Sequence, residues 1–202
     1  MVTFKPMSGL VDIVRYDPTL TIFGHPEVYP PSEDSILFIE SLDVMPGERV
    51  LEIGCGSGVV SIHGALTGCI VTAGDINPHA VDLAQKNAEV NGASMDVFLT
   101  DVYSNIEGVF DTILFNLPYL PVEDEGLLAK AWSGGDDGLG PLPRLLDESD
   151  KVLAHDGRIV VVTSSLMDRE ATEDAMADWT VRSLGELPLF FEKLNVLELR
   201  HR

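Results

Sequence analysis

The chain has 202 residues, with 13 Lys+Arg against 33 Asp+Glu and a formal net charge of −20. That length fits a single domain with one sizeable core, and 45% apolar with 23% charged residues describes a globular chain, not a disordered one. Two classes are excluded: a membrane-spanning helix, because no window approaches about 18 uncharged apolar residues, and a counterion-releasing binder of long nucleic acids, because the charge repels phosphate and the basic residues never form a run.

Residues 1–10 carry neither the apolar core and cleavage site of a secretory signal nor an arginine-rich amphipathic stretch, so a cytoplasmic location is expected. Residues 35–42 read as a helix with Ser32 as its cap. Residues 49–53 read as a buried strand, followed by the glycine loop Gly54 to Gly58 and a helix over 59–66. A second strand, 69–73, ends at Gly74-Asp75. Asn77 caps a helix that starts at Pro78 and stops at Asn91-Gly92. Further strands are expected at 96–100, 110–115 and 158–163, the last preceded by a helix over 142–153. Residues 119–140, rich in Gly, Pro and acids, form a long insertion after the fourth strand, and insertions of that length are usually functional. Two strand-like runs, 179–186 and 193–200, are joined by 187–192 and predict an antiparallel hairpin. The alternation implies an α/β fold: a doubly wound, seven-stranded, mostly parallel, Rossmann-like sheet with a C-terminal antiparallel hairpin. One domain is expected over 1–202, with 1–28 as an N-terminal extension and 119–140 as a substrate-side insertion. Cys55 and Cys69 fit neither a disulfide framework nor a CxxC knuckle, so a reduced protein without a metal site is expected.

The segment Leu51-Glu52-Ile53-Gly54-Cys55-Gly56-Ser57-Gly58 puts three glycines at alternate positions between a strand and a helix, where a ligand can approach the main chain closely. Asp75 ends the second strand 17 residues past Gly58, where a carboxylate can accept both hydroxyls of a ribose. Asp101, in Thr100-Asp101-Val102, ends the third strand on the same carboxyl edge. The dinucleotide fingerprint needs Gly or Ala where Val59 stands, and the loop has no P-loop lysine. A nucleoside without pyrophosphate, such as S-adenosylmethionine, fits better. The bland alternative is a tight turn with two solvated acids.

Phe115-Asn116-Leu117-Pro118-Tyr119 follows the fourth strand. The Asn116 side-chain oxygen and the Leu117 carbonyl can each accept a hydrogen from one planar NH2 group, and Tyr119 can stack on the flat amide or aromatic amine that bears it. An amide nitrogen is a poor nucleophile, so holding its hydrogens while aiming it at a sulfonium methyl favours transfer through orientation and electrostatics. His63 and His79 are not needed, and each reads as a surface or capping residue.

With these residues in place, the chain resembles class I S-adenosylmethionine-dependent methyltransferases of the NPPY type. Tyr29-Pro30-Pro31-Ser32-Glu33-Asp34-Ser35 is similar to the Y-x-P-x-E-D-T signature of the eukaryotic and archaeal HemK-type glutamine methyltransferases, which modify the GGQ loop of a class I peptide release factor. The stretch Ala131-Trp132-Ser133-Gly134-Gly135 through Asp137-Gly138 resembles the same subfamily. The resemblance implies that Glu52, Gly54, Gly56, Asp75, Asp101 and Val102 hold the cofactor, with Ser35 facing it at the family's Thr. It implies that Asn116 contacts cofactor and substrate, and Leu117, Pro118 and Tyr119 the glutamine amide. Leu117 departs from the family's proline. The carbonyl survives, but φ is no longer locked, and Pro118 compensates in part by biasing Leu117 toward extended backbone.

The third strand, Asp96 to Thr100, is expected at a sheet edge with apolar neighbours and no Lys or Pro to block pairing. A hetero-partner extending the sheet is expected there, and the resemblance points to the small zinc-binding activator subunit shared by several translation-related methyltransferases. The alternative is that residues 1–25 cover the edge. Two rival functions remain: an adenine-N6 methyltransferase on RNA or DNA, opposed by the charge and by the lack of room for a target-recognition domain, and a non-catalytic cofactor-binding scaffold, opposed by intact Asn116 and Tyr119. Dispersed acids with only 5 lysines point to a halophilic host; a merely acidic protein is the plainer reading.

Overall fold

The structure, a computed structural model, describes residues 14–126 and 128–202. Seven strands form one sheet: β1 Arg49–Ile53, β2 Ile70–Asp75, β3 Met95–Leu99, β4 Phe110–Asn116, β5 Leu153–Ser164, β6 Trp179–Pro188 and β7 Lys193–His201. Their spatial order is β3-β2-β1-β4-β5-β7-β6; the first five are parallel, β7 is antiparallel to β5, and β6 to β7. The helices are α1 Glu33–Ser41, α2 Val59–Leu66, α3 Pro78–Val90, α4 Leu142–Asp147 and α5 Arg169–Ala175. This is the expected doubly wound, Rossmann-like sheet with its C-terminal hairpin, and β3 lies at the expected edge.

The period-2 geometry of a strand divides the core in two. Leu51, Ile53, Ile113, Phe115, Ile159 and Val161 face the side covered by α4. Val50, Leu114, Val160, Val162, Leu194 and Val196 face the side covered by α1 and α2. Glu52 falls on the α2 side because it shares a face with Val50.

Residues ahead of α1 are stitched to the helices by side chains. The Thr21 N–H donates to Asn91 Oδ1 and the Phe23 N–H to Asn87 Oδ1, each at 2.9 Å, and the buried Asn87 also donates to the Ser57 carbonyl. Asn77 Nδ2 donates to the Glu27 carbonyl, which brings Glu27 to Pro31 onto the carboxyl edge. Residues 14–31 thus run across α2 and α3, while Phe98 and Leu99 of the edge strand stay 44% and 50% exposed. The reading that residues 1–25 cover this edge is not met from 14 onward; 1–13 lie outside the described residues.

Three expectations change, and one helix, α5, was not expected. The helix expected over 142–153 ends at Asp147, followed by a 3-10 turn, Ser149–Lys151, because Leu153 is taken into β5 opposite Phe110. α5 has no buried residue, hence no apolar stripe to betray it. Ser32 does occupy the N-cap of α1, but its hydroxyl donates to Glu33, making no cap bond. His63 is neither surface nor cap. It is buried with Nδ1 on the Val59 carbonyl at 2.7 Å and Nε2 accepting the Asp17 N–H at 2.9 Å, and its pKa is lowered chiefly by that burial. Among the described residues no helix is long and apolar enough to cross a membrane.

Candidate functional site

A cleft of about 270 Å³ opens at the carboxyl edge of β1, β2 and β4, and the tips of all three strands supply its lining. The sequence-predicted residues Ser35, Glu52, Gly54, Gly56, Asp75, Asp101, Val102, Asn116 and Pro118 all line it. Leu117 and Tyr119 do not. The Leu117 side chain is fully buried in the core, and Tyr119 is half-buried beside the cleft.

The glycine loop turns with φ of +67°, +52° and +79° at Gly54, Gly56 and Gly58. At Gly54 glycine is obligatory twice over: φ is left-handed, and a Cβ would stand 2.7 Å from the Phe115 ring. The loop thereby presses against the end of β4 and leaves the space ahead of Gly56 open, a Cβ there meeting nothing within 4 Å.

One carboxylate fixes the loop and a second anchors the helix that follows it. Asp75 accepts the Gly56 N–H on Oδ2 and the Asn77 N–H on Oδ1, each at 2.9 Å. Each oxygen keeps one lone pair, enough for a pair of vicinal hydroxyls. Burial raises the Asp75 pKa, and the backbone donors of Asn77 and Gly56 pull against that rise. Glu52 accepts the Ser61 N–H at 2.9 Å and the Ser61 hydroxyl from the first turns of α2, and burial pushes its pKa up to about 8.

Asp101 lines the cleft, yet it is exposed and its carboxylate is paired with Arg144 at 2.9 Å. The next residue, Val102, is buried at φ +53°. A β-branched residue in this region is strained by about 1–3 kcal/mol and persists only where its surroundings hold it. Here Thr100 Oγ1 donates to its carbonyl at 3.1 Å and the side chain packs into the core. Nothing in the sequence announces that strain.

The end of β4 carries the most specific feature. Asn116 Nδ2 donates to Asp34 Oδ2 at 3.0 Å, while Asn116 Oδ1 is buried with no partner. The amide orientation follows from its partner, since the Asp34 oxygen accepts and the NH2 end is the donor that faces it. Asp34 is itself buried, and its Oδ1 accepts the Ser35 N–H at 2.6 Å and the Ser35 hydroxyl at 3.2 Å. The Tyr119 hydroxyl donates to Asp34 Oδ2 at a long 3.5 Å, and burial, then the Asp34 charge, raises the Tyr119 pKa and keeps the phenol protonated. Asp34 was not among the expected site residues. Its signal was present in the Glu33-Asp34-Ser35 segment, where the same residues also read as the first turn of a helix.

The insertion folds back over this end. Leu120 bridges to Ser133, and Leu128, Lys130, Ala131 and Ser133 reach the cleft, Lys130 being the one basic side chain in its lining among the described residues. Gly134 permits that return, since a Cβ there would stand 2.5 Å from the Pro118 carbonyl oxygen. The arrangement can seat a nucleoside over Asp75 and present an aligned acceptor to an incoming N–H.

Comparison with known proteins agrees with this geometry. The family profile described as Methyltransferase small domain matches residues 19–183. An inferred protein N5-glutamine methyltransferase of Methanocaldococcus jannaschii is 41% identical over 180 residues, covering 86% of this chain and 91% of that protein. Methyltransferase HEMK2 of Mus musculus is 30% identical over 153 residues, covering 68% and 72%. Among solved structures, the E. cuniculi Mtq2-Trm112 complex, which methylates the eRF1 translation termination factor, superposes with a TM-score of 0.70 at 18% identity, covering 87% of this chain and 99% of that one. Matched by that profile over most of its length and by a relative it covers nearly end to end, the chain belongs to the methyltransferase small domain family and is a methyltransferase.

Proposed function

We propose that this protein transfers a methyl group to the side-chain amide nitrogen of the GGQ glutamine in a class I peptide release factor. The observation that carries the reading is the Asn116 amide at the cleft wall, whose NH2 is held by Asp34 and whose Oδ1 is buried without a partner. A buried acceptor without a donor costs about 1–3 kcal/mol, and an incoming NH2 removes that cost. The Leu117 carbonyl takes the second hydrogen, and the Tyr119 ring covers the flat amide.

S-Adenosylmethionine supplies a sulfonium-activated methyl group. Asp75 receives the ribose hydroxyls on its two free lone pairs. Glu52 anchors α2 behind the loop, Gly54 lets the loop pack on Phe115, Asp101 and the strained Val102 would hold the cofactor from the end of β3, and Gly56 and Ser35 would leave it room. Asn116 and the Leu117 carbonyl together orient the substrate nitrogen and polarise its N–H bonds, so that no strong base is needed before transfer. The M. jannaschii relative supports a glutamine amide as acceptor, and the Mtq2-Trm112 likeness supports a termination factor as its carrier.

The edge strand β3 serves, on this reading, as the docking site of a small zinc-binding activator, which pairs with the backbone beside exposed Phe98 and Leu99. The heterodimer works in the cytoplasm, where release factors act. The acid excess and scarcity of lysine belong to a halophilic host. Residues 119–140 act as the substrate-side insertion of a single domain, with 1–28 as its N-terminal extension.

The test is labelled methyl transfer from S-adenosylmethionine onto purified release factor, onto the same factor with its GGQ glutamine replaced, and onto tRNA. Label on the intact factor alone is expected; label on tRNA, or on the glutamine-less factor, overturns the assignment. Expression of the chain alone tests the partner: a soluble, monodisperse, active monomer rules out an obligate subunit.

A further inference from the structure

The C-terminal hairpin ends at the catalytic edge of the sheet. Because β7 is antiparallel to β5, it begins where β5 finishes: Ser164 pairs with Leu194, and the Ser165 N–H donates to the Lys193 carbonyl at 2.9 Å. β5 is also the neighbour of β4, with Val162 opposite Asn116. The connection between β6 and β7 therefore stands on the same rim as the proposed substrate amide.

That connection is closed by its own backbone, the Leu189 N–H donating to the Glu192 carbonyl at 2.8 Å. Glu192 turns inward and accepts the Ser164 hydroxyl at 2.6 Å. It lies near enough to Tyr119 and Tyr29 for its charge to add to the burial that raises both phenols. Phe190 and Phe191 face the solvent instead. They are 92% and 86% exposed, far beyond any other large apolar side chain among the described residues, and their rings meet edge to face at 4.6 Å.

Scattered exposed apolar residues carry no message, but two adjacent aromatic rings on one tip beside a catalytic mouth do. Neither the turn nor the core uses them. Acids outnumber bases around it: Glu33 opens α1, exposed Glu123, Asp124 and Glu125 lie in the insertion, and Lys193 at the base of the tip is paired with Glu186, leaving Lys130 as the basic side chain of the cleft lining. Asp124 accepts the Trp132 indole N–H at 2.8 Å, and Trp132 meets Tyr29 of the cleft wall at 6.2 Å.

We propose that the Phe190–Phe191 tip is a docking element for the protein substrate, seating an apolar side chain on a basic surface of the release factor while its glutamine loop enters the cleft. Charge complementarity with the acidic rim selects the basic surface, and continuity with the cleft places the contact on the substrate and not on the subunit at β3. The inference rests on the glutamine methyltransferase reading.

The test compares wild type with the double variant Phe190→Ser/Phe191→Ser, prepared with the activator subunit if one is required. Each is assayed with intact release factor and with a short GGQ-containing peptide. A KM for the intact factor raised about 10-fold or more, with unchanged kcat and unchanged transfer to the peptide, is the expected result. An unchanged KM for the factor overturns docking alone and leaves the function intact. Equal loss on factor and peptide overturns it too, because the tip then acts through the cleft. Loss of activator binding, or dissociation of a wild-type homodimer seen by light scattering, assigns the tip to that other occupant and overturns the proposal. If wild type labels no release factor, the functional reading falls first and this inference with it.

Discussion

At the scale of single residues, the site depends on one side chain being unable to turn. Asn116 has two ends of nearly equal size, and Asp34 holds the NH2 end and leaves Oδ1 without a partner. Asn116→Ala is expected to lower kcat by about 100-fold or more, as for loss of a preorganised donor or acceptor at a reacting group. Asp34→Ala frees the amide to rotate, with an expected kcat about 10- to 100-fold lower and cofactor affinity within about threefold of wild type. Steady-state kinetics with a parallel cofactor titration checks both, and a fall in affinity without a fall in kcat would refute the orienting role of Asp34. Glu52 gives a pH prediction. Its pKa rises on folding from the ordinary 4.5 to about 8, so the native state holds the proton more tightly and stability falls as pH climbs through that window. Glu52→Gln keeps an acceptor for the Ser61 N–H without the charge, and its melting temperature should decline less than that of wild type between these pH values. Parallel thermal scans test this; identical slopes would show that Glu52 is not buried as an acid.

At the scale of elements, the β4–insertion junction departs most from the resemblance. Leu117 replaces a proline whose ring would fix φ, yet its side chain is fully buried among Ile113, Leu142 and their neighbours. Leu117→Pro should therefore raise kcat by stiffening the acceptor carbonyl while lowering the melting temperature through lost packing worth about 1–3 kcal/mol. Unchanged turnover removes the rigidity account. The elements legible in the sequence were those with an apolar run or a cap, namely all seven strands with α1, α2 and α3, β5 being read from 158 where it starts at Leu153. α5 was not legible because it buries nothing, and α4 was read too long because Val152 and Leu153 continue its apolar pattern, although Val152 closes the 3-10 turn and Leu153 opens β5.

At the scale of the whole molecule, charge is the dominant property. Even the interior spends its cation carefully: buried Arg158 contacts Asp43, Glu48 and Glu198, and also donates to Thr112. Burial alone would raise the Glu198 pKa, but Arg182, Arg158 and Arg200 hold it below the usual range. Arg158→Met removes the buried cation that Asp43, Glu48 and Glu198 share, leaves Glu198 to Arg182 and Arg200, and should destabilise the protein by about 3–5 kcal/mol in chemical denaturation. On the surface, the net charge of −20 is self-repulsive at low salt. Raising KCl from about 0.1 M to about 2 M, which shortens the screening length from about 10 Å to below 3 Å, is expected to raise the melting temperature by several degrees. A flat or falling melting temperature would separate the acidity from any adaptation to salt.

The sequence by itself determined the alternation of strands and helices, the glycine loop, the carboxylates that end the second and third strands and the Asn116–Tyr119 tetrapeptide, because each is a local pattern of spacing and residue type. Only the tertiary structure decided that Asp34, 82 residues away in the chain, orients Asn116, that Asp101 is paired with Arg144, that Val102 is strained, and that the Phe190–Phe191 tip returns to the catalytic rim. Those facts depend on which strands lie side by side and in which direction they run, and a one-dimensional pattern holds no record of the partner across the sheet.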